Sequence, residues 1–344
     1  MKIKTGVAGL GRSGWNIHCN LISQLPELYE IVAVCDPDEK RIKEAKDKFN
    51  CKTYSDYNEF IKDENIELVI VATFSSLHAE HTIKALKSGK NVVCEKPMAT
   101  NLKDADEMIE TSKKTGKLLT VFQNKRYAPD FQKIKEIIDS GLIGKIILVK
   151  MLYHSFSRRW DWQTLKKYGG GTLNNTGPHV IDQALQIFGD KEEPEIFCHM
   201  EKTLTLGDTE DHVKIILKGK SSPMIDIEIT SACCYPQENW LVMGSCGGIK
   251  GTFTQLYWKY FDPKDLPPRE VDENPTPDRS YNVENIPWKE EEKWEFSEKD
   301  KNYPINFYID LYETLVKGKP LKITPESVRR VMWVIEKCHQ IAGI

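Results

Sequence analysis

The chain has 344 residues, 40% hydrophobic and 29% charged, with a formal net charge of -3. This length and composition are typical of a globular protein with two domains, and the near-balanced charge, with no basic segment rich in aromatic residues, argues against a nucleic-acid partner. No apolar run approaches the ~20 residues that a membrane span needs. The N-terminus lacks a signal-peptide pattern, and the nine cysteines lack zinc-type spacing. We therefore expect a cytoplasmic protein with reduced thiols, no membrane contact and no metal.

Short apolar strands alternate with amphipathic helices over the first third of the chain. Strand patterns fall near residues 3–8, 30–35, 67–72, 91–94 and 117–122, and helical patterns fall near residues 14–25, 38–49, 55–62, 76–88 and 101–115. This alternation predicts βαβ units whose parallel strands share one sheet. Ligands bind beyond the carboxyl ends of such strands, so the residues that follow each strand are candidates for a binding site.

The turn after the first strand reads Gly9-Leu10-Gly11-Arg12-Ser13-Gly14, the G-x-G-x-x-G pattern of dinucleotide-binding turns. The first glycine permits a tight turn, the second lets a pyrophosphate approach the backbone, and the third lets helix and strand pack closely. The next strand ends in Asp36, 22 residues after Gly14, where an acid receives the ribose hydroxyls. Because its charge would repel a 2′-phosphate, we expect NAD, with NADP possible. We interpret Arg41 as an exposed helix charge.

Two later strands also end in polar residues. One leads into Thr73-Phe74-Ser75-Ser76-Leu77-His78, where the serines either contact a cofactor or cap the following helix. The other, 91–94, leads into Glu95-Lys96-Pro97. A lysine at this edge can act as an acid or a base, because burial or a nearby cation lowers its pKa. Taken alone, the tripeptide favours a solvated surface charge, and its context reverses this in favour of a functional role.

The second half of the chain has longer strand patterns. They fall near residues 145–153, 195–206, 212–217, 223–232, 239–244 and 249–253, and helices are predicted near 130–140, 304–317 and 325–341. Consecutive strands predict a largely antiparallel sheet. We therefore divide the chain into an NAD-binding domain, 1–124, and a substrate-binding and oligomerisation domain, 125–344. The proline- and charge-rich residues 261–300 are expected on the surface, as a lid or a subunit contact.

A second polar group lies between the first two strands of this domain. A glycine-rich run, 169–171, leads into Asn174-Asn175-Thr176-Gly177-Pro178-His179, and proline suits a first helical turn. His179 is either a structural histidine or a general base, and the presence of Lys96 favours catalysis. Candidates for sugar recognition, or alternatively for packing between the domains, are Arg159, Asp161 and Trp162.

Together the glycine-rich turn, Asp36, Glu95-Lys96-Pro97 and the His179 segment resemble the glucose–fructose oxidoreductase / inositol dehydrogenase (Gfo/Idh/MocA) family. The resemblance implies an α/β protein: a Rossmann domain, then an α/β domain with a large open sheet. It also implies a homo-oligomer, a dimer or tetramer, and a possible cis peptide before Pro97. The chain departs from the family pattern at Phe74-Ser75, where Pro-Asn is frequent, and at Asn175, where many members have aspartate.

The resemblance also implies the roles of single residues. It places Lys96 beside the nicotinamide and the reacting carbinol, and makes Lys96 and His179 the catalytic pair. The predicted cofactor-binding residues are Gly9, Gly11, Arg12, Ser13, Gly14, Asp36, Thr73, Ser75, His78, Glu95, Lys96 and Gln123. The predicted substrate-binding residues are Arg126, Arg159, Trp162, Asn175 and His179. An arginine such as Arg126 either binds an oxygen-rich ligand or forms a salt bridge between the domains.

The expected reaction is hydride transfer between NAD(P) and a secondary hydroxyl of a sugar, glycoside or cyclitol. In this hypothesis His179 takes the hydroxyl proton and Lys96 donates a hydrogen bond to the same oxygen. Asn175 cannot exchange a proton near neutral pH, so it orients the substrate. Two alternatives stay open: an NAD-dependent glycosidase or lyase that oxidises its sugar transiently, and a non-catalytic NAD(H)-binding redox sensor.

Overall fold

The computed structural model describes residues 1–276 and 278–343. The strands of its first sheet are β1 (Ile3–Ala8), β2 (Tyr29–Cys35), β3 (Lys52–Tyr54), β4 (Leu68–Val71), β5 (Asn91–Cys94) and β6 (Leu119–Val121). They are ordered β3-β2-β1-β4-β5-β6, and every neighbouring pair is parallel. This confirms the predicted Rossmann sheet. The sequence pattern missed β3, because Lys52–Tyr54 has no run of apolar residues.

The helices that connect these strands carry clear end signals. They are α1 (Asn20–Ser23), α2 (Glu39–Phe49), α3 (Tyr57–Phe60), α4 (His78–Lys87) and α5 (Leu102–Thr115). A helix of π geometry, Arg12–Cys19, begins at the glycine-rich turn and runs directly into α1. Asp38 and Asn101 cap α2 and α5 by accepting hydrogen bonds from backbone N–H groups of the first turn. Such local signals explain why the predicted helix bounds agree closely with those observed.

Within the described residues the second sheet has eight strands. They are β7 (Ile146–His154), β8 (Glu195–Glu201), β9 (His212–Lys218), β10 (Met224–Thr230), β11 (Trp240–Gly244), β12 (Gly247–Gly251), β13 (Gln255–Tyr260) and β14 (Glu292–Glu295). The order is β14-β13-β12-β11-β7-β10-β9-β8, antiparallel except between β7 and β10. The predicted antiparallel character is confirmed. The sequence pattern missed β13 and also β14, which lies inside the 261–300 excursion; Pro277 of that excursion lies outside the described residues.

The remaining helices all follow the first sheet in the chain. They are α6 (Pro129–Asp139), α7 (Thr172–Asn175), α8 (Gly177–Phe188), α9 (Ile305–Lys317) and α10 (Pro325–Ala342). α10 packs against β8 of the second sheet and against the helix α8. It also packs against α5 and against β6 of the first sheet, while α9 contacts α1. The Thr120 hydroxyl donates to the Ile323 carbonyl at 2.8 Å in the buried interior. The C-terminal segment therefore lies against both sheets. The domain boundary at 124/125 stays a prediction.

Two expected absences concern the described residues alone. In residues 1–276 and 278–343 every helix is too short or too polar to traverse a bilayer. Over the same residues, histidine, cysteine and acidic side chains do not cluster in groups of three or more that could hold a metal ion.

Candidate active site

The glycine-rich turn after β1 is shaped by close backbone contacts. Gly9 adopts a φ of +88°, and a Cβ there would lie 2.4 Å from the Ala72 carbonyl oxygen. A Cβ on Gly14 would lie 1.7 Å from the Gly9 carbonyl oxygen. A Cβ on Gly11, in contrast, would meet nothing within 4 Å. The space beside Gly11 is therefore open at a helix start, which fits the approach of a pyrophosphate.

Asp36 is anchored at the end of β2. Its side chain is buried, with Oδ2 accepting from the Leu10 N–H at 2.7 Å and Oδ1 accepting from the Asp38 N–H at 2.9 Å. An ionised carboxylate has about four lone-pair positions, so it can still accept hydrogen bonds from ribose hydroxyls. Arg41 is half exposed, and its Nη1 lies 3.6 Å from Asp36 Oδ2, as expected for a surface helix charge near this site.

The loop after β4 is tied to the loop after β5. The His78 ring is buried, with Nδ1 2.7 Å from the Pro97 carbonyl oxygen and Nε2 3.1 Å from the Thr73 carbonyl oxygen; burial lowers the pKa of His78. Ser75 is buried too. Neither the turn Ser75–Leu77 nor α4 begins with a side-chain cap hydrogen bond. Capping, the alternative interpretation of the serines, is therefore not what the structure displays.

Lys96 joins the two halves of the cleft. It follows β5, its peptide bond to Pro97 is cis, and its Nζ donates to Asn175 O at 2.9 Å and to Asn175 Oδ1 at 3.3 Å. Burial lowers the pKa of Lys96, the Glu95 charge opposes that effect, and the Arg12 and Arg159 charges add to it. The lysine is thus a cation whose proton is held less tightly than usual.

His179 lies in the first turn of α8, directly after Pro178. Burial lowers its pKa well below the ordinary range, and the Lys96 charge lowers it further. The imidazole is therefore neutral near pH 7. Among the described residues, His179 Nδ1 and Gln123 Oε1 are buried atoms without a hydrogen-bond partner, and Gln123 Nε2 donates to the Pro178 carbonyl oxygen at 3.2 Å. Since buried polar atoms are normally satisfied, these two fit a site that a ligand completes.

A side-chain network extends from Lys96 into the second domain. Asn175 Oδ1 accepts from Gln163 Nε2 at 3.3 Å, and Gln163 Oε1 accepts from Arg159 Nη2 at 2.6 Å. Arg159 also forms a bidentate pair with Asp161 at 2.9 and 2.8 Å. The structure therefore brings the predicted residues Arg159 and Asn175 together with Lys96. Gln163, which connects them, was not predicted.

Trp162 and Arg126 both contact other side chains of the protein. The Trp162 ring lies edge-on to Phe74 at 5.0 Å and remains 36% exposed. Arg126 donates from Nε and Nη2 to the Asp182 carboxylate at 2.7 and 2.6 Å, and from Nη2 to Ser327 Oγ at 2.9 Å. The Trp162 contact is of the interdomain kind that the sequence allowed as the alternative to ligand binding. The Arg126 salt bridge is not, because Asp182 lies in the same predicted domain, 125–344. A substrate contact by either residue stays a prediction.

A cavity of about 300 Å³ opens beside this network. Arg159 and Gln163 form part of its wall, and most of its other polar groups are hydroxyls. The hydroxyl-bearing residues of the wall include Ser155, Ser157, Thr172, Thr176, Thr209 and Ser231. The Thr209 hydroxyl is buried and has no hydrogen-bond partner among the described residues. No sequence pattern indicated this cavity, because its residues come from separate strands and loops.

The sequence is similar to known proteins over most of its length. Residues 3–123 match the family model described as "Oxidoreductase family, NAD-binding Rossmann fold", and residues 131–250 match the GFO/IDH/MocA C-terminal domain.

The chain belongs to the Gfo/Idh/MocA oxidoreductase family.

Relatives in this family carry several names. A myo-inositol 2-dehydrogenase from Thermotoga maritima is 31% identical over 72% of this chain and 74% of that protein. An uncharacterized oxidoreductase, C115.03, from Schizosaccharomyces pombe is 30% identical over 72% of this chain and 70% of that protein. A scyllo-inositol 2-dehydrogenase (NADP(+)) from Bacillus subtilis is 35% identical over 54% of this chain and 52% of that protein.

Solved structures show the same family fold. The oxidoreductase yvaA from Bacillus subtilis superimposes with a TM-score of 0.83 at 23% identity, covering 99% of this chain and 96% of that chain. The WlbA dehydrogenase from Bordetella pertussis, solved with NADH and UDP-GlcNAcA, has a TM-score of 0.79 at 20% identity, covering 100% and 98%. The first domain of this Gfo/Idh/MocA protein is an NAD-binding domain, as predicted.

Two residues beside the family's E-K-P segment were not predicted from sequence. Glu95 Oε1 lies 3.0 Å from His18 Nε2, and His18 Nδ1 lies 2.6 Å from the Tyr308 hydroxyl. Burial acts to raise the pKa of Glu95, but the hydrogen bond and charge of His18, with Lys96, lower it to about 2. A histidine in a largely apolar helix was a usable signal; the partner on α9 was not, because 290 residues separate them.

Proposed function

We propose that this protein is an NAD-dependent dehydrogenase that acts on a secondary hydroxyl of a small, uncharged polyol, a cyclitol or a simple sugar. One observation carries the proposal: the Lys96 ammonium meets Asn175 across the cleft, beside a neutral His179 with an unpartnered nitrogen. The inositol dehydrogenase names of several relatives support the same reaction class.

The residues that would hold the dinucleotide are those around the strand ends of the first sheet. The Gly9–Gly14 turn, with Arg12 and Ser13 at the helix start, would receive the pyrophosphate, and Asp36 the ribose hydroxyls. Thr73, Ser75 and His78 would border the cofactor at the next loop, with Glu95 and Gln123 beyond. When bound, NAD supplies the hydride acceptor for oxidation of the substrate carbon. Asp36 favours NAD, and the half-exposed Arg41 leaves NADP possible.

The side chains of the cleft then handle the proton. An ammonium group has three N–H donors, and Lys96 uses two on Asn175, so one remains for the substrate oxygen. This hydrogen bond stabilises negative charge that develops on that oxygen. His179, neutral because of its burial, accepts the hydroxyl proton as general base. Asn175 holds the lysine and orients the hydroxyl without exchanging a proton.

The cavity supports a small, neutral substrate. Its volume, about 300 Å³, is at the low end of ligand pockets, so a single ring fits the space better than a sugar nucleotide. The guanidinium of Arg159 is already paired with Asp161, whereas a diphosphate requires cations that remain available. Glu210 lies on the same wall, and its carboxyl group supplies no cation to a diphosphate. The many hydroxyls around it match the hydrogen-bonding pattern of a polyol.

The test is turnover of the purified protein with NAD or NADP against a panel of inositols, aldoses, alkyl glucosides and one UDP-sugar. We expect net formation of NADH with at least one inositol or aldose. Lys96→Ala should lose that activity, and near wild-type turnover by the variant would reject the assignment of Lys96. Product formation without net NADH would favour the transient-oxidation alternative. Binding of NADH without turnover of any polyol would favour the redox sensor.

A further inference from the structure

A series of buried polar groups adjoins the backbone of Lys96. The Lys96 backbone N–H donates to Glu95 Oε2 at 2.9 Å. Glu95 Oε1 lies 3.0 Å from His18 Nε2, and His18 Nδ1 lies 2.6 Å from the Tyr308 hydroxyl. His18 and Tyr308 are fully buried, and Glu95 is 5% exposed. These polar groups therefore connect the segment after β5, the first helix and α9 through side chains shielded from solvent.

The direction of these hydrogen bonds follows from the chemistry of the groups. An ionised carboxylate only accepts, so His18 Nε2 carries the proton that it donates to Glu95. The other ring nitrogen, Nδ1, shares a hydrogen bond with the Tyr308 hydroxyl. The imidazole packs edge-on against Phe122 at 4.6 Å, and the Tyr29 hydroxyl donates to the Tyr308 carbonyl oxygen at 2.7 Å. Ring and hydroxyl are thus each held in one orientation.

Burying such a set of polar and charged groups in a core costs desolvation free energy. Replacing a buried charged group and its partners with apolar residues is often neutral or stabilising, so stability alone gives little reason for a carboxylate here. Its position gives another reason. Glu95 sits at the backbone of the residue whose ammonium enters the cleft, and its charge is one of those that act on Lys96.

We propose that His18 and Tyr308 are positioning residues for Lys96: they hold the ionised Glu95 carboxylate against the backbone of the lysine. The proposal rests on the role of Lys96 proposed above. In this arrangement the carboxylate fixes the backbone from which the lysine side chain extends and keeps an anion next to the ammonium. His18 keeps Glu95 ionised despite its burial, and Tyr308 holds the His18 ring in the orientation in which Nε2 faces Glu95.

The arrangement predicts a pH effect with a definite sign. Burial favours the protonated carboxyl, and the His18 hydrogen bond opposes this. Without that donor, Glu95 takes up a proton at higher pH, Lys96 loses its neighbouring anion, and the acid limb of the kcat profile moves to higher pH. The titratable groups that act on or respond to Glu95 are His18, Lys96, Cys94, His78, His179 and Tyr308.

The experiment compares His18→Leu, His18→Gln and Tyr308→Phe with the parent protein. Loss of a hydrogen bond to a charged group corresponds to roughly ten- to hundredfold in rate, so His18→Leu should lower kcat by at least about tenfold. Its acid limb should move up by about one pH unit or more. Gln retains an N–H donor and should restore most of kcat. Tyr308→Phe should move the limb in the same direction by less.

Tyr29→Phe is the matched control, because it removes a phenol hydroxyl that bonds to the Tyr308 backbone carbonyl and leaves the side-chain hydrogen bonds among Glu95, His18 and Tyr308 in place. It should lower the melting temperature and leave the pH profile unchanged. Fluorescence titration with NADH should give similar Kd values for all variants, which separates positioning of Lys96 from damage to cofactor binding. If His18→Leu and Tyr308→Phe lower stability but keep the parent profile, the positioning role is wrong while Lys96 catalysis stands. If Lys96→Ala keeps its turnover, the underlying proposed function fails instead.

Discussion

The two walls of the cleft are built from different chemistry. The wall of the first domain offers mostly backbone: a glycine-rich turn at a helix start, open space at Gly11, and the anchored carboxylate of Asp36. The opposite wall offers side-chain amides and hydroxyls around a cavity of about 300 Å³. Backbone groups recognise a phosphate whatever their side chains are, whereas a hydroxyl-lined wall changes with each substitution. Under the proposed function, selectivity for the substrate lies in the second wall, and the first wall serves any substrate.

The largest expected effect comes from a substitution in the glycine-rich turn of the first wall. In Gly14→Ala the new Cβ would lie 1.7 Å from the Gly9 carbonyl oxygen, so the turn must move, and we expect a loss of about 3 kcal/mol or more of stability. Gly11→Ala is the matched control, since its Cβ meets nothing within 4 Å. That variant should keep its stability and lose affinity for NADH, because the Cβ enters the open space. Thermal unfolding and fluorescence titration measure the two quantities; equal stability of both variants would contradict the contrast.

The next prediction concerns the contact that joins the walls. Asn175→Asp places a carboxylate where Oδ1 now lies 3.3 Å from Lys96 Nζ. An opposite charge favours the ammonium, so the pKa of Lys96 should rise and the basic limb of the pH–rate profile should move to higher pH. Asn175→Leu, which removes the side-chain acceptor, should move it the other way. A profile that is identical in both variants would show that Lys96 does not set that limb.

A pH prediction for stability follows from His179. Its folded-state pKa is lowered, by burial first and then by the Lys96 charge. Below about pH 6.5, the ordinary histidine pKa, the unfolded chain therefore binds a proton that the folded chain does not, and stability falls as the pH falls. His179→Gln removes this contribution, so its melting temperature should decline less between pH 7 and pH 5. His199→Gln, at an exposed position on β8, is the control and should follow the parent curve.

The two walls also differ in how much of each could be predicted from the sequence. The glycine turn and Asp36 lie within one βαβ unit, so their spacing carried the prediction. Gln163 and the cavity hydroxyls come together only when loops and strands of the second domain pack, and no local pattern encodes that. His18 and Tyr308 meet over 290 residues. β14 stayed hidden because Glu292–Glu295 has a single apolar residue, Trp294, and its pairing with β13 is set by the neighbouring edge rather than by its own sequence.

The smallest expected effect tests the second wall alone. The Thr209 hydroxyl faces a buried environment without a partner among the described residues, and an unsatisfied buried group costs about 1–3 kcal/mol. Thr209→Val keeps the shape and removes that group, so the protein without substrate should become more stable, by about 1 kcal/mol. If the hydroxyl bonds to a bound polyol, the same variant should raise KM several-fold while kcat changes little. The melting temperature and KM would then both rise: the protein would be more stable but would bind its substrate less tightly. Simple core packing does not produce this pattern. A higher melting temperature with an unchanged KM would remove Thr209 from the substrate wall.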